Sequence, residues 1–122
     1  CRMISAEGQP VDNLTDVYTG SPGAATIELT AEIQVDPREG AGSSVVDRVE
    51  FYKEGDETGL THVGDGTPIA GTNPAQYQLS YSAESHGVPG EAKTYFANCV
   101  ARSVQDPTKQ VPSYSRPVRV RR

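Results

Sequence analysis

The stretch Ala92–Val104, A-K-T-Y-F-A-N-C-V-A-R-S-V, reads as a central β-strand. Its residues alternate with period two, with Tyr95, Ala97, Cys99 and Ala101 on one side and Phe96, Asn98, Val100 and Arg102 on the other. Turning the second set inward would bury an amide and a guanidinium, so the first set is expected to face the core. The rest of the chain is placed around that choice.

Upstream, Thr26–Val35 alternates most clearly. Ile27, Leu29, Ala31, Ile33 and Val35 share one face, and Glu28, Thr30, Glu32 and Gln34 share the other, which is expected to be wet. Asp36, Pro37 and the run Gly40–Ser44 end it in a polar loop. Val45–Lys53 follows, with Val49 and Phe51 inward and Glu50 and Tyr52 outward, and a turn at Gly55–Gly59. A short strand around Leu60–Val63 leads to a turn at Gly64, Asp65 and Gly66. The prolines in Pro68–Pro74 then forbid a central strand. Ala75–Tyr81 alternates again, Gly87, Pro89 and Gly90 form the next loop, and Val111–Arg122 is the last strand. Residues 1–25, with Gly8, Pro10, Gly20, Pro22 and Gly23 among polar residues, read as a tether holding at most one short strand. Within them Asn13-Leu14-Thr15 is a glycosylation sequon.

About seven short strands in a chain of 122 residues, 35% hydrophobic and with 12 Gly and 9 Pro, predict one all-β domain over residues 26–122. The net charge is −5, and Arg116, Arg119, Arg121 and Arg122 crowd the last twelve residues without an acid, so the remainder is more acidic than the total. An acidic body repels phosphates, so nucleic acid is excluded as a partner. No apolar run approaches the about 20 residues a membrane-spanning helix needs.

Val46–Gly55, V-D-R-V-E-F-Y-K-E-G, together with Gly59, Tyr95-x-Ala97-x-Cys99-x-Ala101 and Ser115-x-x-Val118-x-Val120, resembles the repeats of bacterial immunoglobulin-like domains over about Ile27–Val120. The resemblance implies an immunoglobulin-like β-sandwich that displays or binds rather than catalyses, as a surface or secreted module. It would put Cys99 where antibody-type sandwiches carry half of an inter-sheet disulfide. The matching strand has no Cys and a bridge to Cys1 would need the tether to enter the core, so Cys99 is expected as a buried free thiol. Tyr95 is placed for a tyrosine corner.

Cys1 and Cys99 match no zinc or redox spacing. A chain that begins with Cys looks like a mature bacterial lipoprotein, which predicts lipid attachment at Cys1 and anchoring in the cell envelope, at the outer membrane. The alternative is a fragment boundary. His62 and His86 are expected as exposed loop residues, and no catalytic set and no cofactor are implied. Asp56-Glu57 and Gly64-Asp65-Gly66 offer oxygens to calcium but lack the spacing of a calcium loop, so no metal site is expected.

In the immunoglobulin arrangement the strands at Val45–Lys53, Ala92–Val104 and the C-terminus lie side by side. Tyr52, Phe96 and Val100 would then share an outer face, with Arg102 and Arg119 at its rim. An apolar centre with a charged rim has the composition of a protein-binding surface, here for another cell-envelope or surface protein. The alternatives are the tether folding back through Val11, Leu14, Val17 or Tyr18, a carbohydrate-binding module using Tyr18, Tyr52 and Tyr114, and an accessory domain of a larger secreted enzyme.

Overall fold

The computed structural model describes residues 1–6, 9–10, 17–19, 26–33, 44–55, 59–72, 74–82, 92–106 and 108–121. Val11, the sequon Asn13–Thr15, Val35, the Asp36–Ser43 loop, Asp56-Glu57, His86 and the Gly87–Gly90 loop lie outside the described residues.

The described elements are all strands: β1 (Arg2–Ala6), β2 (Gln9–Pro10), β3 (Val17–Thr19), β4 (Thr26–Ile33), β5 (Ser44–Gly55), β6 (Gly59–Asp65), β7 (Thr67–Ile69), β8 (Ala75–Ser82), β9 (Ala92–Ser103), β10 (Gln110–Tyr114) and β11 (Val118–Arg121). They form two sheets. One has the order β2-β1-β4-β8-β7 and the other β3-β11-β9-β5-β6, with β10 also paired to β9. All pairings are antiparallel except β3 with β11, which is parallel. The class is therefore a β-sandwich, as the alternation predicts.

The expected core face of β9 holds for Tyr95, Ala97 and Cys99, which are fully buried, while Ala101 near its end is only half-buried. They pack with Val49 and Phe51 of β5 and Val118 and Val120 of β11 against Ile27, Leu29, Ala31 and Ile33 of β4. Each large aliphatic or aromatic side chain so enclosed contributes about 1.5–3 kcal/mol. The chain changes sheets at Gly66, whose N–H donates to the Val49 carbonyl at 2.8 Å. A Cβ there would lie 2.9 Å from the Phe51 ring and 3.0 Å from Cβ of Tyr77, so the crossing needs glycine for its closeness. Pro68 sits in β7, at the edge of its sheet, where no ladder partner is lost.

Four expectations require correction. Residues 1–25 are not a simple tether. β1 pairs along β4, with Met3 and Ala6 in the core, and β3 extends the second sheet beyond β11. The alternation of β1 is hidden because the register slips by one residue between Met3 and Ser5.

Cys99 is not a free thiol. Cys1, at the head of β1, forms a disulfide with it across the two sheets, with Cα atoms 5.6 Å apart. A thioether lipid and a disulfide are alternatives for one sulfur, and here the Cys1 sulfur is bonded to Cys99, so lipid attachment at Cys1 is not retained. Finally, the outer face of β4 is not wet throughout: Glu28 is exposed, but Thr30 and Glu32 are buried, and Arg2 reaches Glu32 at 3.3 Å.

Candidate protein-binding surface

Pairing of β5 with β9 sets Tyr52 opposite Phe96, Glu50 opposite Asn98 and Arg48 opposite Val100. The facing residues Val49, Phe51, Ala97 and Cys99 are in the core, so these six point outward. Tyr52 and Phe96 stack nearly parallel, with ring centroids 5.3 Å apart. The row continues on both sides. His62 of β6 sets its ring against Tyr52 at 5.4 Å, and Tyr114 of β10 lies 6.1 Å from Phe96. Four rings thus cross four adjacent strands, the outermost Tyr114 being 62% exposed. Ring contacts of this kind are worth about 0.5–1.5 kcal/mol beyond the area they cover.

A polar network holds the row from beside it. Glu50 Oε1 accepts from the Tyr52 hydroxyl at 3.1 Å and from Asn98 Nδ2 at 3.0 Å, while Oε2 accepts from Arg48 Nε at 3.1 Å. The Ser113 backbone N–H donates to Asn98 Oδ1 at 3.2 Å, which ties β10 to the same network. Burial pushes the Glu50 carboxyl up, but the hydrogen bonds from Arg48, Tyr52 and Asn98 outweigh it and hold the group below its ordinary value. Burial and the bond to Glu50 raise the Tyr52 hydroxyl, keeping it a donor.

β10 and β11 follow one edge of β9 in succession, with the break at Ser115–Pro117. Tyr114 pairs with Asn98 and Val118 with Tyr95, so β9 has two residues where the other chain has three. Ser115 mends the ladder there: its N–H donates to the Ala97 carbonyl at 2.8 Å and its Oγ accepts from the Ala97 N–H at 2.8 Å. Tyr114, opposite Asn98, is thus the diagonal neighbour of Phe96 across the ladder.

Of the residues expected here, the structure brings Tyr52 and Phe96 into contact and leaves both half-buried. Val100 is a correction. It faces outward but is flanked by Arg48 and Pro112 and only 3% exposed, so it supports the layer without offering a surface. Arg102 and Arg119 do not flank one spot. Arg119 pairs with Thr94, eight residues from Arg102 along β9, a separation of about 26 Å at the rise of a strand. Arg102 Nε instead meets Asp47 Oδ1 at 3.4 Å, and Asp47 Oδ2 also accepts from Arg48 at 2.6 Å. His62 belongs to β6 rather than a loop, exposed and 2.8 Å from Asp65. Asn98, Tyr114 and His62 were not part of the expected surface; cross-strand position relative to Phe96 and Tyr52 is the signal that unites them.

β3 lies beyond β11 as a continuation of the sheet, so its backbone does not lie across Phe96. No model of a known protein family matches the chain, and no curated protein matches it.

Proposed function

We propose that this chain is a non-enzymatic immunoglobulin-like module of the cell envelope or extracellular space, of the bacterial kind, that binds another surface protein. The row His62-Tyr52-Phe96-Tyr114 carries this reading. A partner's apolar side chain packs against the open ring edges, and the Arg48-Asp47-Arg102 pairs form a polar border to one side. The strand orders support the immunoglobulin-like assignment: they read as A-B-E-D sheet against an A′-G-F-C-C′ sheet, with the parallel β3–β11 pair as A′ beside G. The disulfide supports an oxidising compartment. A glycan-binding reading is less favoured, because sugars stack on open ring faces and Tyr52 and Phe96 spend one face each on the other.

A photo-crosslinking residue at Tyr114 tests this on intact cells, with the same residue at Ser80, on the outward side of the other sheet, as control. One partner is expected from position 114 and none from position 80, and Phe96→Asp should abolish the product while the domain stays folded. Equal labelling from both positions, or a product indifferent to Phe96→Asp, refutes the surface.

A further inference from the structure

β6 carries one residue more than β5 can pair. Phe51 pairs with Gly64 and Tyr52 with His62, so Val63 is supernumerary and packs toward the core. In a regular strand, residues three apart point to opposite faces. The bulge instead turns His62 and Asp65 to the same outward face, beside Glu50, which pairs across the ladder with Asp65. One ligand atom from each of Glu50, His62 and Asp65 lies within 4.8 Å of the other two.

We propose that Glu50, His62 and Asp65 form a binding site for a first-row divalent transition metal, with zinc as its representative. One imidazole and two carboxylates make a mixed nitrogen and oxygen set of the kind zinc accepts. Calcium takes six to eight oxygens and has no use for the imidazole. Independently of the three ligands, the neighbouring layer orients Glu50: Asn98, only 6% exposed, donates to Oε1 and is itself fixed by the Ser113 N–H. Metal-binding carboxylates are oriented by outer hydrogen bonds in this way. A carboxylate has about four lone-pair positions, and the donors Tyr52, Asn98 and Arg48 occupy three, which leaves one for the metal.

His62 and Asp65 are about half exposed, which supplies an entry path and leaves a coordination position to water. The metal replaces the 2.8 Å contact between His62 Nε2 and Asp65 Oδ1. This site goes beyond the protein-binding reading and stands without it.

Titrating the disulfide-intact protein with zinc chloride, followed by amide and imidazole chemical shifts, tests the proposal. Shifts that saturate at one equivalent and centre on Glu50, Tyr52, His62 and Asp65 are expected. His62→Ala and Asp65→Asn should each weaken binding at least about tenfold. Thr61→Ala, on the same strand, should leave it unchanged. Thermal melts that overlay the parent's tie the loss to the ligands. No saturable shift at millimolar zinc, undiminished binding by His62→Ala, or equal saturation by calcium overturns the assignment.

Discussion

In the first sheet the outward pairs of its two central strands are Glu28 with Ser80, Thr30 with Gln78 and Glu32 with Gln76. In the second they are Arg48 with Val100, Glu50 with Asn98 and Tyr52 with Phe96. Both rows follow from the same alternation above the same core, yet one sets polar groups beside polar groups and the other sets rings beside a fixed ionic network. On the first face Glu28 and Ser80 stand in water while Thr30 and Glu32 are buried, so its polar groups are partly enclosed. Rings held half-open by a network that already satisfies its own polar atoms keep apolar surface in solvent, and that asymmetry is what supports the contact face proposed on the second sheet.

The comparison assumes that both faces stand on one cooperative body, and the disulfide is the strongest test. It closes a loop with a sequence separation of 98, for which chain-entropy arguments give about 4–5 kcal/mol. Cys1→Ser with Cys99→Ser should lose that much in urea denaturation and speed amide exchange in both sheets. Acceleration confined to β1 would break the comparison, because the first sheet's outer face would then depend on the bond alone.

Inner and outer aromatic residues of the second sheet should separate next. Phe51, fully buried, is expected to lose about 3–5 kcal/mol on truncation to Ala. Half-buried Phe96 should lose about 1–2 kcal/mol in the same substitution. Equal losses in chemical denaturation would make Phe96 a core residue and leave no exposed row to explain.

What the sequence disclosed follows the same division. Alternation is a property of single strands, so the inward sets of β4, β5 and β9 and the outward placing of Tyr52 and Phe96 could be read directly. Bulges defeat that reading because one extra residue reverses the faces beyond it. The slip after Met3 disguised β1 as tether and hid the approach of Cys1 to Cys99, and the slip at Val63 hid the meeting of His62 with Asp65. Val100 failed for a different reason. Period two gives a side chain's direction but not its exposure, and Val100, paired with Arg48 on one side and Pro112 on the other, is enclosed within the outer layer.

The smallest expected effect sharpens the claim that the second sheet's polar groups are fixed rather than merely solvated. Glu50 titrates below its ordinary value of 4.5 in the folded chain, since the bonds from Arg48, Tyr52 and Asn98 outweigh the upward push of burial. A carboxyl depressed on folding binds fewer protons in the native than in the unfolded state. Its contribution is therefore fully present above its unfolded value and disappears as the pH falls through the folded one. Glu50→Gln removes the charge facing Arg48 but keeps an acceptor for Asn98, so the loss at neutral pH should be about 0.2–1 kcal/mol, the scale of partly exposed pairs. Urea melts of the two proteins from about pH 7 down to about pH 3 should show that gap close below pH 4.5. A gap that stays constant across the range would mean that Glu50 is not held by charge. The rings of Tyr52 and Phe96 would then owe their position to stacking alone.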